Sequence, residues 1–162
     1  MAREADMTID IEMAARPKLR PGNAVAALIT IGGSYLLQLR DNIDSIFFPD
    51  HWGCFGGAVE EGESGEQALI RELREELEFN VPPTAIHYFT RFDFDLAFSR
   101  MAPIYRFFYE IEISEDKVRQ FTLHEGAAMR VFSANDVMRH QITIAPYDAF
   151  ALWLHINRAR IS

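Results

Sequence analysis

Three glutamates between residues 72 and 76 have the spacing of a divalent-metal site on a helix. At about 100° per residue, Glu75 lies about 60° to one side of Glu72 and Glu76 about 40° to the other, so the three carboxylates share one narrow sector. Like charges at this spacing repel one another, and a hard cation that prefers oxygen ligands would remove the repulsion. The pattern therefore favours the chemistry of a bound Mg²⁺ or Mn²⁺.

The residues around these glutamates favour a rigid scaffold. Leu69 and Leu73 lie roughly 125° from the acidic sector of the predicted helix and can face a core. Gly57 follows another glycine, and such a turn lets the backbone approach a cation closely, so the Gly57 carbonyl is a candidate ligand. Arg71 can bridge carboxylates across the turn, because a guanidinium presents several donors in one plane. We therefore expect the glycine turn, the arginine and the three glutamates to form one site.

This spacing resembles the Nudix box, Gly-x5-Glu-x7-Arg-Glu-U-x-Glu-Glu-x-Gly-U, in which U is a bulky apolar residue. The box covers 23 of the 162 residues, and eight of its nine defined positions match. The matching residues are Gly57, Glu63, Arg71, Glu72, Leu73, Glu75, Glu76 and Phe79. An ordinary amphipathic helix with a solvated acidic face is the alternative, but it explains neither the paired glycines nor the placement of the arginine.

The resemblance implies both a fold and an activity. The fold is α/β, a Nudix-like α/β/α sandwich with a mixed β-sheet. The activity is divalent-metal-dependent hydrolysis, in which water attacks phosphorus in a nucleoside diphosphate linked to another moiety. Residues 35–41 and 52–57 are similar to a branch of the family near sugar-nucleotide metabolism. This similarity slightly favours a nucleotide sugar as the small-molecule substrate.

The same resemblance assigns roles within the box. Glu72, Glu75 and Glu76 are implied to bind Mg²⁺ or Mn²⁺, while Arg71 and Glu63 are implied to hold the loop and the helix together. Homodimers are common among the proteins that share the box, so a homodimer is an open alternative for this chain.

Two residues are candidates for the base that takes a proton from the attacking water. Glu75 is the first, although the sequence alone does not distinguish a metal ligand from a catalytic base at this position. Glu125 is the second, because it precedes a predicted strand where many family members carry an acidic loop residue that reaches the site. The alternative interpretation is that Glu125 is a solvated carboxylate on a loop.

Two further residues are candidates for substrate binding. Arg40 lies at the end of a predicted strand and could meet a phosphate, with a solvated strand end as the alternative. Trp52 lies beside the glycine turn and could stack on a nucleobase, with packing in the core as the alternative.

Two positions depart from the family pattern. Glu78 stands where the box has its last glycine, and Phe55 stands where many members have proline. Glycine near a helix end often adopts a left-handed conformation, which costs another residue about 1 kcal/mol. Because asparagine adopts that conformation more readily than glutamate, we expect the helix to continue to Phe79 or Asn80, with Asn80 left-handed.

The charge distribution bears on the class of partner. The net charge is −8, and residues 60–78 contain eight acidic residues against Arg71 and Arg74. Such acidity argues against a nucleic-acid backbone as partner, since that binding needs a basic surface. It does not exclude a small phosphorylated substrate, because bound cations invert the local sign.

The composition is that of a single domain with its own core. The chain has 162 residues, of which 49% are hydrophobic, and its lone Cys54 cannot form an internal disulfide. No apolar run approaches the roughly 18 residues of a membrane span, and the N-terminus lacks an apolar stretch suited to a signal peptide. These features predict a cytoplasmic protein that does not bind membranes.

The predicted elements place the box between strands. Residues 1–20 are predicted to be a partly ordered lead-in to a single domain over residues 21–162. Apolar and β-branched runs predict strands at residues 23–31, 34–40, 51–55, 86–95, 103–113 and 127–132. Capping patterns and apolar faces predict a helix from Ser64, a short one from Ser133 and a last one over residues 146–158.

Three functions remain open at this level. The leading one is a metal-dependent pyrophosphohydrolase, and the second is a Nudix-like sensor that binds a nucleotide without cleaving it. The intact Glu72, Glu75 and Glu76 count against the sensor. An isomerase of prenyl diphosphates is the third, but Cys54 does not obviously provide the nucleophile that it needs.

Overall fold

The computed structural model describes residues 18–161, so most of the predicted N-terminal lead-in lies outside it. The strands are β1 (Ala24–Ile31), β2 (Ser34–Leu39), β3 (Trp52–Gly53), β4 (His87–Phe94), β5 (Ile104–Glu112) and β6 (Ala128–Phe132). The helices are α1 (Gly65–Leu77), α2 (Glu115–Val118), α3 (Ala134–Met138) and α4 (Pro146–Ile161). Short 3₁₀ turns lie at Pro83–Ala85 and Ala97–Ser99.

The six strands form one mixed sheet. Its order is β3-β2-β1-β5-β4, and β6 pairs with β2 beside this path. Strands β1 and β5 are parallel, with Ala24 opposite Arg106, whereas the other pairs are antiparallel. The starts of β1 and β5 therefore lie at the same edge of the sheet as the ends of the antiparallel strands β2 and β4.

Alternate residues of β1 enter two different cores. Val25, Ala27 and Ile29 pack with the apolar face of α1, whose Leu69 and Leu73 are fully buried. Ala26 and Leu28 pack on the other face with Ala151 and Leu152 of α4. Because successive side chains of a strand point to opposite faces, the sheet lies between the two long helices. The predicted α/β/α sandwich with a mixed sheet is confirmed.

Helix α1 begins as expected and ends earlier than expected. Ser64 and Gln67 form a capping box at its start. The expectation that the helix continues past Leu77, with Asn80 left-handed, is wrong, because Glu78 itself is left-handed with φ 55° and the helix ends at Leu77. The Phe79 N–H returns to the Leu73 carbonyl at 3.2 Å, and the Phe79 side chain is buried.

Burial of an aromatic side chain outweighs the backbone penalty at Glu78. Burying phenylalanine contributes about 1.5–3 kcal/mol, more than the roughly 1 kcal/mol that a left-handed glutamate costs. The Glu78 carboxylate also meets the His124 ring at 2.6 Å. At the other end of the chain, α4 extends to Ile161, beyond the predicted end at Arg158. Within residues 18–161, none of the helices combines the length and the apolar character needed to cross a membrane.

Candidate active site

A cavity of about 800 Å³ opens at the edge of the sheet where β1 and β5 begin. Helix α1 contributes the acidic side chains of Glu72, Glu75 and Glu76 to one end of it, and the loop before β6 contributes Glu125. Aromatic and basic side chains from several other segments line the rest, including Arg40, Phe47, Phe48, Tyr105, Arg106 and Tyr147. The fold thus brings the three box glutamates and the predicted loop glutamate to one cavity.

Arg71 holds the acidic end together from behind. Its Nε and Nη2 donate to the two carboxylate oxygens of Glu63 at 2.8 and 3.0 Å. Its Nη1 donates to Glu72 at 2.8 Å and to Glu75 at 3.3 Å, and Nη2 also donates to the Ala58 carbonyl at 2.9 Å. Every one of the five guanidinium donors therefore has an acceptor within the protein. Such a residue orients its neighbours and has no donor left for a substrate.

Glu63 remains charged because of this contact. The paired hydrogen bonds from Arg71, assisted by the Glu60 N–H, lower the pKa of the Glu63 carboxyl to about 2. Glu63 lies in the loop between Gly57 and α1, and Arg71 lies on α1, so the pair ties the loop to the helix.

Gly57 lies in close contact with the Glu72 side chain. A Cβ atom at residue 57 would lie 2.6 Å from the Glu72 carboxylate, closer than real Cβ contacts allow. The glycine therefore leaves the space that the carboxylate occupies at the cavity edge. Burial raises the pKa of Glu72, Arg71 opposes that rise, and the charges of Glu75 and Glu125 add to it.

The Gly57 carbonyl points toward the sheet, which weighs against it as a metal ligand. It accepts a hydrogen bond from the Val25 N–H of β1 at 2.9 Å, as the Phe55 carbonyl does from Ala27 at 2.8 Å. The residue between them, Gly56, instead donates its N–H to Glu76 at 2.9 Å. Within residues 18–161 the Gly56 carbonyl accepts no hydrogen bond, so it is the better placed loop carbonyl.

Glu76 is the most deeply buried carboxylate of the box. It is 3% exposed, and its two oxygens accept from the Gly56 N–H at 2.9 Å and from Gln38 Nε2 at 3.2 Å. Burial raises its pKa to about 8 against these hydrogen bonds, and the charges of Glu72 and Glu125 add to the rise. A cation in the cavity would offset both the burial and the repulsion.

The donor set fits a hard divalent cation. Carboxylate and carbonyl oxygens are the ligands that Mg²⁺ and Mn²⁺ prefer, and Mg²⁺ commonly uses a few carboxylates together with waters and phosphate oxygens. Within residues 18–161, no three histidine, cysteine or acidic side chains already stand at ligand distance from one common point. Arg71 bonds one oxygen each of Glu72 and Glu75, and Gln38 and Gly56 each bond one oxygen of Glu76. The free oxygens of Glu72, Glu75 and Glu125, with the second lone pairs of the Glu76 oxygens, would complete the site on binding.

The two base candidates differ in their surroundings. The Glu75 side chain is about half exposed and accepts from Arg71. Glu125 lines the cavity, and within residues 18–161 it makes neither a side-chain hydrogen bond nor an ion pair. Its loop is held in place because the Ala127 N–H donates to the Leu39 carbonyl at 2.8 Å. The Glu125 carboxylate is thus the one with both oxygens available.

Of the two predicted substrate-binding residues, Arg40 lies at the cavity and Trp52 lies away from it. Arg40 lines the cavity, and its Nε donates to the Phe47 carbonyl at 2.9 Å, so it shapes the loop that forms one wall. Trp52 is not among the residues that line the cavity, and its ring packs edge-on against Phe132, 4.7 Å away between ring centres. The core packing considered for Trp52 is what the structure shows, and Trp52 is not placed to stack on a base bound in this cavity.

The sequence interpretation missed Arg106 and Tyr147. Arg106 lies in β5 among aromatic residues, and Tyr147 lies in the first turn of α4. The Arg106 guanidinium carbon lies 4.4 Å from the centre of the Tyr147 ring. An arginine within the aromatic run of residues 105–109 was the available signal, since arginine is rarely buried unless it is paired.

Comparison with known proteins identifies the family. A family model described as NUDIX domain matches residues 20–153. Nucleoside triphosphatase NudI of Escherichia coli is 47% identical over 60 residues, which are 36% of this chain and 41% of that protein. The chain thus matches less than half the length of this curated relative.

Solved structures show the same fold over most of the chain. The ORF135 protein of E. coli is 26% identical, with a TM-score of 0.63, covering 88% of this chain and 94% of that one. The NUDIX domain of Shewanella oneidensis NrtR, solved with ADP ribose, is 20% identical, with a TM-score of 0.64, covering 96% and 100% respectively. With the family match over residues 20–153, these findings show that the chain belongs to the NUDIX domain family.

Proposed function

We propose that the protein hydrolyses a diphosphate linkage in a nucleoside phosphate and depends on Mg²⁺ or Mn²⁺. One observation carries this proposal: Glu72, Glu75, Glu76 and Glu125 meet at one end of a cavity that continues into an aromatic pocket. The acidic end suits metal and phosphate, and the aromatic end suits a nucleoside. Membership of the NUDIX domain family supports the same proposed function.

The protein residues contribute positioning and proton transfer. Glu72, Glu75 and Glu76 would hold the cation, together with the Gly56 carbonyl. When bound, the cation would neutralise phosphate charge and lower the pKa of a water. Arg71 keeps the carboxylates in place through four hydrogen bonds and the loop through a fifth to the Ala58 carbonyl, so little reorganisation is needed during the reaction.

Glu125 is the base that we favour. It has no partner within the described residues and lies on a loop beside the carboxylates of α1, so it can accept a proton from water within the cavity. Glu75, the first candidate from the sequence, is restrained by Arg71 and suits ligation better. Glu125→Gln should lower kcat by about 10²–10⁴-fold, with little change in KM.

The substrate is a nucleoside with at least two linked phosphates. The relative NudI is named a nucleoside triphosphatase, and the NrtR domain was solved with ADP ribose, a nucleoside diphosphate linked to another moiety. The identity of 47% to NudI favours a nucleoside triphosphate over the nucleotide sugar expected from the sequence. Both classes belong in the substrate panel.

The alternative function is a sensor that binds a nucleotide without turnover. The local acidity of α1 disfavours it, because repelling carboxylates at a phosphate site are useful only when metal is bound. Calorimetric titration of nucleotides with and without Mg²⁺, paired with product analysis, separates the two functions. We expect weak binding without metal and two phosphorylated products with it. Tight metal-free binding without turnover on a broad panel would establish the sensor instead.

A further inference from the structure

Arg106 is a buried arginine whose hydrogen-bonding capacity the protein leaves mostly unused. Its Nη2 donates to Asp148 at 3.0 Å, and this is its one hydrogen bond within residues 18–161. Its Nε is buried and has no acceptor in that part of the chain. A guanidinium carries five donors, and buried donors are normally satisfied. Arg106 lines the cavity, so the donors of its Nη atoms that Asp148 does not use can meet acceptors of a bound ligand.

Asp148 neutralises and orients this arginine. The Asp148 side chain is fully buried, and its second oxygen accepts from the Cys54 N–H at 2.9 Å. A Cβ atom at Gly53 would lie 2.8 Å from that oxygen, so the neighbouring backbone is close against it. Because the pair carries no net charge, this end of the cavity suits a neutral acceptor group better than an anion.

Aromatic rings flank the guanidinium. The Arg106 guanidinium lies over Tyr147, and the Tyr147 ring meets Phe48 edge-on with 5.5 Å between ring centres. Phe48 has φ 51°, a left-handed conformation that is unusual for a bulky residue. Such strain persists only where the surroundings enforce it, and it clusters at ligand sites. Tyr147 and Phe48 thus form an apolar wall beside the Arg106 donors, and we call this part of the cavity the slot.

The backbone that carries Arg106 lies close to the glycine turn. Arg106 is opposite Ala24 in the parallel pair, and Ala24 forms a bridge with Ala58, the residue after Gly57. Two neighbouring-strand spacings, about 10 Å in all, therefore separate the Arg106 backbone from that of the turn. A nucleoside bound with its phosphates at the carboxylates would place its base toward the slot.

We propose that Arg106 selects the nucleobase of the substrate, binding a base that presents two adjacent acceptor atoms. Guanine offers O6 and N7, and cytosine offers O2 and N3. Adenine and uracil place a donor beside each comparable acceptor, which leaves one guanidinium donor without a partner. This inference rests on the proposed function for the placement of the phosphates, and a bidentate arginine contact gives about five- to a hundredfold discrimination between bases.

The test compares arginine variants in a binding assay that needs no turnover. Calorimetry measures the affinities of GMP, CMP, AMP and UMP for the wild type and for Arg106→Lys, which keeps the charge beside Asp148 but loses the planar fork. The double variant Arg106→Gln/Asp148→Asn replaces the ion pair with a neutral one and guards against misfolding of the single variant. Arg91→Lys is the control, because Arg91 also lies over a ring, that of Tyr105 at 4.6 Å, but is not among the residues that line the cavity.

The wild type should bind GMP, CMP or both at least tenfold more tightly than AMP and UMP. Both Arg106 variants should reduce that preference to within about threefold, whereas Arg91→Lys should keep it. Equal affinities in the wild type, retention of the preference in both Arg106 variants, or no binding of any of the four nucleotides would overturn the inference. A base preference without hydrolysis of any nucleoside triphosphate or linked nucleoside diphosphate in the panel would leave the role of Arg106 intact and refute the proposed function.

Discussion

Arg71 and Arg106 serve the two ends of one cavity, and they differ in how much of their hydrogen bonding the protein satisfies. Arg71 directs all five donors at Glu63, Glu72, Glu75 and the Ala58 carbonyl. Arg106 directs one donor at Asp148 and keeps a buried Nε without an acceptor in the described residues. Both lie against carboxylates, so charge pairing alone does not distinguish their roles.

The difference separates a scaffold from a recognition site. An arginine whose N–H donors all have acceptors in the protein fixes those acceptors and has no donor available for a ligand. An arginine that lines a cavity with unused donors can hydrogen-bond a ligand there. We therefore propose that the acidic end organises the chemistry and that the aromatic end distinguishes the substrate from its analogues.

The largest effect should come from the carboxylates that Arg71 organises. Glu76→Gln keeps the shape of the buried side chain and removes its charge, so a cation loses a ligand. We expect kcat/KM at limiting Mg²⁺ to fall by about a hundredfold or more, since metal contacts supply several kcal/mol of charge stabilisation. Steady-state assays at several Mg²⁺ concentrations measure it, with exposed Glu61→Gln as the control. Near wild-type turnover in a folded Glu76→Gln protein would contradict the ligand assignment.

Arg71→Lys tests the scaffold directly. Lysine keeps the positive charge but cannot reach Glu63, Glu72 and Glu75 in one plane. Loss of such a supporting residue typically costs about 10–100-fold in metal affinity or activity. We expect that loss in the Mg²⁺ concentration needed for half-maximal rate and in kcat. Arg74→Lys on the exposed side of the same helix is the matched control, and equal behaviour of the two variants would remove the scaffold role.

Lowering the pH should weaken the contact between the Glu63 loop and α1 over a defined pH range. The pKa of Glu63 is lowered to about 2 in the folded protein, so its stabilising contribution is present above its ordinary pKa of 4.5 and is lost as the pH falls toward 2. Urea unfolding of wild type and Glu63→Gln measures this contribution as the difference in the free energy of unfolding. The difference should be constant from pH 8 to pH 5 and should shrink below pH 4.5. A difference that grows on acidification would contradict the assignment.

The smallest effect concerns the end of α1, away from both arginines. Glu78→Gly should raise the free energy of unfolding by about 0.5–1 kcal/mol, because glycine adopts φ 55° without strain. For a chain of this size the melting temperature should rise by about 1–4 °C. Glu78→Ala removes the His124 contact without relieving the backbone and should not stabilise. Stabilisation by alanine equal to that by glycine would locate the effect elsewhere.

The clustering of the three box glutamates at one cavity could be predicted because its signals are local. Glu72, Glu75 and Glu76 share a helical face whatever the rest of the chain does, and the glycine turn lies a few residues before them. Regular alternation and capping residues likewise predicted the strands and helices. The end of α1 was wrong because burial of Phe79, a tertiary contact, decided the backbone conformation of Glu78.

The aromatic end could not be predicted in the same way. Arg106 and Asp148 are 42 residues apart, and Phe48 meets Tyr147 only after β2, β5 and α4 have assembled. Trp52 illustrates the same limit: its indole ring suits base stacking, but β3 and β6 both pair with β2, and in the folded protein the ring packs against Phe132. Contacts of this kind depend on register and packing, which no short spacing encodes.

The most direct test of the division between the two ends is a side-by-side measurement of kcat and KM for Arg71→Lys and Arg106→Lys. Each variant is assayed with Mg²⁺ on GTP, CTP, ATP and UTP, with the products identified. Arg71→Lys should lower kcat for every hydrolysed nucleotide alike, and Arg106→Lys should raise KM for the preferred base while leaving kcat nearly unchanged. If both variants change the same kinetic constant by the same factor on all four nucleotides, the cavity does not have two functionally distinct ends.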